Sequence, residues 1–224
     1  NAGQTCVAPD YCLVDRTVRD RLVEELKKQF QKMLGEDPLA NRDFVRIINR
    51  KHYNRLQGLL EGENLLYGGG HRDDPDSDSG WIAPTLVADT LEGTSKPMGE
   101  EIFGPILPII PYDTLDQAID FIRQREKPLA LYLFTQSRKT KERILNTCSF
   151  GGGCVNDTII HLATHHMPFG GVGQSGMGSY HGRASFETFS HPKSILKKGA
   201  GPDLPVRYRP YAPWKEKLLR KFLP

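Results

Sequence analysis

The chain has 224 residues, with 30 Lys and Arg against 27 Asp and Glu, a net charge of +3 and a mean hydropathy of −0.47. That length makes one large domain or two small ones, with enough chain to bury a core without staples. A weak charge spread over both signs excludes an obviously nucleic-acid-binding chain, and no apolar run reaches the roughly 18 residues of a membrane span.

Four cysteines, Cys6, Cys12, Cys148 and Cys154, are too sparse for a disulfide scaffold and lack C-x-x-C spacing. They read as reduced thiols of a cytoplasmic protein. No secretory leader pattern is present, and the first residue is Asn1 rather than Met, so the chain reads as a segment of something longer.

In chain order, Thr17 followed by Asp20 reads as an N-cap with an acidic first turn. Val18, Leu22, Leu26, Phe30, Met33 and Leu34 then share one helical face, which Gly35 closes. A weaker helical pattern runs over 44–60. Residues 64–67 read as a short strand, 72–80 as a solvated turn and 81–87 as a further strand. The run 105–112 is apolar but broken by prolines, which predicts a strand at an edge or with bends. Residues 114–125 are helical through Leu115, Ala118, Ile119 and Ile122, and 129–134 form a continuous apolar strand of the buried, parallel type. Ser137 caps another helix, and 151–155 open the next strand. The alternation predicts an α/β fold with a mainly parallel sheet. From Pro168 to Gly182 the chain is a glycine-rich loop. Residues 186–198 look strand-like, and 199–224 form a proline-rich tail whose end, 214–223, is basic and amphipathic. A solvated terminal helix is the plainer reading of that end, with a membrane or partner surface as the alternative.

Cys6 sits among small polar residues, Gly3-Gln4-Thr5, which let backbone approach a reacting centre and supply N–H groups to an oxyanion. A cysteine is more often a small buried hydrophobe, so these neighbours alone do not make it a nucleophile. Glu101 lies two residues before Phe103. In an extended segment the two face the same side, so a carboxylate for a ribose diol stands beside an aromatic ring. Taken by itself, an ordinary acidic turn before a strand is the better reading. Gly171-x-Gly173-x-x-Gly176 has the letters of a dinucleotide fingerprint but no strand before it and no helix after it, and is rejected. His161, His165 and His166 with Cys154 lack the partners of a metal site, so no metal is expected. Ser175 or Ser179 with His181 lacks a nucleophile elbow.

Asn1-Ala-Gly-Gln-Thr-Cys-Val-Ala-Pro-Asp-Tyr11, Glu100-Glu-Ile-Phe-Gly-Pro105, Asn156-Asp157 and the run from Pro168 to Gly182, in this order, resemble the aldehyde dehydrogenase superfamily. Ala-Pro-Asp-Tyr after the cysteine, Ser-Gly-Met-Gly-Ser-Tyr-His-Gly and Phe186-Glu-Thr-Phe-Ser-His191 resemble its class 3, or fatty and aromatic aldehyde, branch. The resemblance implies that Cys6 is the nucleophile, forming a thiohemiacetal with an aldehyde and then a thioester that water releases as the acid. It implies that Glu101 and Phe103 hold the nicotinamide ribose and ring of NAD or NADP. It implies a substrate pocket of Thr5, Ile159, Leu162 and Phe169, with His181 near the site in no assigned role. It further implies a catalytic domain over 1–183, an oligomerisation strand and tail over 184–224, and a homodimer in the parent protein.

The family's cofactor domain, its Glu-Leu-Gly-Gly-Lys-like general-base motif and its oxyanion-hole asparagine side chain are not in these 224 residues; Asn1 is not that asparagine. The expectation is therefore a chain inactive by itself, its cofactor bound mainly elsewhere. Open alternatives are a cysteine hydrolase, a CoA-acylating relative and a non-catalytic assembly module.

Overall fold

In a computed structural model that describes residues 1–222, Asp15 rather than Thr17 starts the first helical segment. Asp15 Oδ1 accepts the Thr17 N–H at 2.9 Å and also the Thr17 hydroxyl, so Thr17 lies inside the first turn rather than at its cap. A 3-10 turn over Arg16–Val18 leads into α1, Arg19–Leu34, which Gly35 ends at φ +85°. The second helix, α2, is shorter than the pattern over 44–60 suggested. It covers Arg50–Leu60, because Asn49 accepts the His52 N–H at 3.0 Å and caps it there. The residues before Asn49 bond to other elements instead: Ile47 N–H donates to Gly80 O, and the Trp81 indole to Phe44 O.

The strands are β1 (Cys12–Asp15), β2 (Leu65–Tyr67), β3 (His71–Asp73), β4 (Gly80–Ile82), β5 (Thr85–Ala88), β6 (Ile106–Tyr112), β7 (Ala130–Leu133) and β8 (Gly152–Val155). The largest sheet runs β1-β6-β5-β2, parallel across β1–β6 and β6–β5 and antiparallel at β2. The solvated turn expected over 72–80 is instead the hairpin β3–β4, whose tip is tied by Asp74. That carboxylate is buried and accepts from Asp76 N–H, Ser77 and Arg46, bonds that hold its pKa below the usual range. The strand expected over 81–87 divides at Ala83-Pro84 into β4 and β5.

The proline-broken strand is not at an edge. β6 lies inside the sheet between β1 and β5. Thr85 N–H and Asp89 N–H donate to Pro105 O and Ile109 O, so odd-numbered β6 residues turn their backbone groups toward β5 and even-numbered ones toward β1. Pro108 faces β1 just before β1's first partner, Ile109; Pro111 faces β5 just beyond β5's last partner, also Ile109. Each proline falls where the neighbouring strand does not reach, so no ladder bond is lost.

Side chains alternate across this sheet. Leu86 and Ile109 join Val14 and Val23 under α1, while Val87 and Ile106 join Tyr53, Leu56 and Ile102 under α2. A second parallel pair, β7–β8, packs Leu131 against α3 (Leu115–Gln124) and α4 (Arg138–Thr147) through Ile119, Ile144 and Cys148. Thr114 with Gln117 forms a capping box on α3, and Ser137 caps α4.

The chain divides into Asn1–Ser190 and His191–Pro224. Residues 186–198 are not a strand: Gly182–Thr188 forms α5, and nothing regular follows until Pro205. Arg183 and Glu187 pair one helical turn apart at 2.6 Å, and an extended segment without a partner strand completes no ladder. In the second unit, Pro213–Phe222 forms α6; Leu223, at the end of the amphipathic stretch, lies outside the described residues.

Candidate active site

Cys6 is exposed and its neighbour Val7 is completely buried, so the loop is anchored by one residue while it offers the next to solvent. Gln4 fixes the loop from the other side. Its amide oxygen accepts Ile48 N–H at 2.9 Å and its amide nitrogen donates to Arg46 O at 3.1 Å. Thr5 O accepts the Ala8 N–H at 2.9 Å, closing a turn over Cys6. The Thr5 hydroxyl takes a bond from the Asn1 side chain. Cys6 N–H and Val7 N–H donate to no protein acceptor among the described residues, which leaves two backbone donors beside the sulfur.

The Glu101–Phe103 segment is fastened to this loop at two points. Asp10 Oδ1 accepts the Ile102 N–H at 2.9 Å, and Gly3 lies so close to Gly104 that a Cβ on Gly3 would stand 2.1 Å from Gly104 O. From α2, Arg55 reaches Glu100 Oε1 at 2.9 Å, Glu101 O at 3.3 Å and Ile102 O at 2.5 Å. Ile102 is buried, while Glu101 is exposed and its carboxylate joins no ion pair or hydrogen bond among the described residues. Phe103 stands at φ +51° and is 38% exposed. A carboxylate with its lone pairs uncommitted can accept from the two hydroxyls of a ribose, and a ring held out of the core can pack on a flat heterocycle. The residues present fit the expected nicotinamide site.

The other wall comes from β7. Alternation sends Leu131 into the α3–α4 core and Tyr132 to the opposite face, where its hydroxyl donates to Val7 O at 2.7 Å. Burial pushes this hydroxyl's pKa up, the Ile159 backbone works against that, and the Cys154 and Cys6 sulfurs reinforce it. Ile159, at φ +65° and 42% exposed, is thereby brought to the same place as Cys6. From Tyr132 a row of rings continues through His161 (5.9 Å between centroids) to Phe169 (6.1 Å), then to Tyr180 and His181 at 5.7 and 5.8 Å. Phe169 is held by a two-way backbone bridge with Tyr180. Leu162 is half-buried in the turn after Ile159, with its N–H on Ile159 O.

The Cys6–Val7 loop and the Ile159 backbone therefore both lie by the Tyr132 hydroxyl, while Phe169 stands two rings farther along the row. His181 lies with His165 and His166 along a pocket of its own. No group of three metal-ligating side chains exists among the described residues. His161 is buried and turns Nδ1 to Cys154 Sγ at 3.6 Å, and burial lowers its pKa. Burial alone pushes Cys12 up to about 11. Sequence reasoning missed Tyr132, Asp10, Gln4 and Arg55. Only Tyr132 left a trace, as the polar tip in an otherwise apolar strand.

Among curated proteins, the chain is 50% identical over 196 residues to a bovine aldehyde dehydrogenase named dimeric NADP-preferring, covering 88% of this chain and 80% of that sequence. It is 50% identical over 213 residues to a Staphylococcus aureus 4,4'-diaponeurosporen-aldehyde dehydrogenase, and 45% over 224 residues to an Arabidopsis thaliana aldehyde dehydrogenase family 3 member H1. It covers 94% and 98% of itself in those two matches and 45% of each relative, so it spans about half the length of most such relatives. A solved Staphylococcus aureus AldH in a substrate-bound state superposes with a TM-score of 0.88 at 47% identity, covering 100% of this chain and 48% of that one. The family model described as the aldehyde dehydrogenase family matches residues 1–195, which hold every side chain placed above, and the chain belongs to that family.

Proposed function

We propose that these residues form the catalytic part of an enzyme oxidising aliphatic or aromatic aldehydes to carboxylic acids, with Cys6 as nucleophile. The carrying observation is an exposed thiol on a rigid loop, with uncommitted backbone N–H groups beside it, clamped to a free carboxylate and a displayed ring. Such a thiolate adds to a carbonyl carbon, and the developing oxyanion meets the Cys6 N–H. Glu101 and Phe103 would hold NAD or NADP, which when bound accepts the hydride that turns the thiohemiacetal into a thioester. Ile159, Leu162, Phe169 and Thr5 would line the path of an apolar aldehyde, and the Tyr132 bond to Val7 O keeps the loop in place while the sulfur is substituted. Water then releases the acid. Among the described residues no carboxylate hydrogen-bonds Cys6, and we assign the base that activates the releasing water to none of them.

The relatives named dimeric and NADP-preferring support a homodimeric, NAD(P)-using parent, and four free cysteines suit a cytoplasmic one. Residues 184–224 would serve subunit pairing and 1–183 the chemistry. A cysteine hydrolase is less well supported, because no histidine hydrogen-bonds Cys6 among the described residues and His161 faces Cys154.

The test has two arms. In the whole protein, Cys6→Ala removes aldehyde-dependent reduction of NAD(P)+. In the 224-residue chain alone, an aldehyde-reactive probe labels Cys6, but NAD(P)H does not accumulate. Undiminished oxidation by Cys6→Ala in the whole protein overturns the assignment.

A further inference from the structure

A second thiol stands on the same face as Tyr132 and takes no part in the chemistry assigned to Cys6. β7 and β8 run parallel with Tyr132 opposite Cys154, so both side chains leave the sheet on the side away from the α3–α4 core. Cys154 is half-buried and forms no disulfide. The turn Ile160–Leu162 folds His161 back over β8, where its Nδ1 lies 3.6 Å from Cys154 Sγ. Gly152, two residues before Cys154 and on the same face, makes room for this ring. A Cβ there would stand 3.1 Å from His161 Cδ2.

The imidazole is enclosed. His161 is 8% exposed, with the Tyr132 and Phe169 rings at 5.9 and 6.1 Å, and its Nε2 is buried with no partner among the described residues. A histidine that only fills a core normally has its polar atoms hydrogen-bonded. Here Nδ1 alone is engaged, and it faces a thiol. Burial disfavours a lasting imidazolium, so the ring is a neutral base near pH 7.

We propose that Cys154 and His161 form an electrophile site at which uncharged α,β-unsaturated carbonyl compounds add covalently to the thiol. Nδ1 takes the thiol proton as Sγ bonds to the β-carbon. The C=C electron pair moves toward the carbonyl as an enolate, and the same proton returns to the α-carbon. No group leaves, and nothing is oxidised or reduced. The enclosure selects this class of reaction. Nε2 has no protein group to pass a proton to, so a substitution, which expels an anion and leaves the proton behind, would strand a buried imidazolium. An addition consumes the proton it releases. The aromatic walls favour an uncharged reagent. The site stands whether or not Cys6 is the nucleophile of aldehyde oxidation, since neither member of the pair belongs to that chemistry.

The full chain is treated at neutral pH with methyl vinyl ketone or with iodoacetamide, which alkylates by substitution, and adduct formation at each cysteine is timed by peptide mass spectrometry. The ratio of the two rates at Cys154 should be at least about tenfold higher in the folded chain than in the same chain unfolded in urea. His161→Gln should bring the folded ratio down to the unfolded value, and Gly152→Ala, by crowding the imidazole, should lower it in part. Continued slow labelling of Cys12 and Cys148 by both reagents shows that a variant is folded. If His161→Gln is not, the native chain with and without urea decides alone. Equal ratios in the folded and unfolded chain, or an excess that survives His161→Gln in a folded protein, overturn the proposal.

Discussion

The Asp10 carboxylate accepts the Ile102 N–H at 2.9 Å across 92 residues of sequence, joining the cysteine loop to the segment that displays Glu101 and Phe103. Burial raises the Asp10 pKa, the Ile102 bond lowers it, Glu101 raises it and Arg55 lowers it, with burial the largest. A carboxyl whose folded pKa lies above its unfolded value of 3.8 stabilises the fold below that value, and the contribution is lost as pH rises through the folded pKa. Asp10→Asn keeps an acceptor for Ile102 N–H without a charge to bury. Its melting temperature at neutral pH should equal or exceed that of the native chain, and the Asp10 part of the acid-side gain should vanish. Asp10→Ala should cost about 1–3 kcal/mol, because a buried donor is left unpaired. Thermal melts at neutral and mildly acidic pH distinguish the two.

Thiol accessibility should rank the four cysteines sharply. Cys6 is exposed, Cys154 is half-buried against His161, and burial raises the pKa of both Cys12 and Cys148. Moving Cys12 from 9.0 to about 11 lowers its thiolate fraction near neutral pH by roughly a hundredfold. Iodoacetamide labelling followed by peptide mass spectrometry should modify Cys6 first and Cys12 and Cys148 last. Labelling of Cys12 as fast as Cys6 would mean that β1 opens readily.

The elements that could be read from the residues are those fixed by local chemistry: the helix over 114–125 from its apolar spacing, the Ser137 cap and the Gly35 stop. Cys6, Glu101 and Phe103 stood out through the order of their motifs, because the chemistry needs particular atoms in short runs. What could not be read depends on partners distant in sequence. The place of Pro108 and Pro111 inside the sheet follows from how far β1 and β5 extend, which β6 does not encode. The Tyr132 bond to Val7 O spans 125 residues, and a polar tip in an apolar strand does not say which distant carbonyl it meets. The error over 186–198 has the same origin, since apolar residues there suit a strand only when another strand lies beside them.

Gly3 stands at φ +71°, and a Cβ there would sit 2.1 Å from Gly104 O. Gly3→Ala therefore pays a left-handed backbone penalty of about 1–2 kcal/mol and must also push the two loops apart. Gly35→Ala meets nothing within 4 Å at φ +85° and bears only the backbone penalty. Gly35→Ala should lower the melting temperature without changing the rate of Cys6 alkylation. Gly3→Ala should change both, because the contact it breaks holds the cysteine loop on Gly104. Matching alkylation rates for the native chain and Gly3→Ala would show that this contact does not position the thiol.

His161 is 8% exposed, enclosed by the Tyr132 and Phe169 rings, with Nδ1 toward Cys154 and Nε2 buried without a partner. Burial lowers its pKa below 6.5. The unfolded chain then takes up a proton that the folded chain refuses. The contribution to stability is intact above about pH 6.5 and is lost as pH falls from there toward the folded pKa. A melting profile should decline below about pH 6.5, and His161→Gln, which cannot protonate, should flatten that part of the decline. Because Tyr132 and Phe169 rest on this ring, the native chain should also lose protection of their backbone N–H groups against hydrogen exchange as pH falls through the same range, while His161→Gln keeps it. An acid limb identical in the two proteins would assign the decline to other groups.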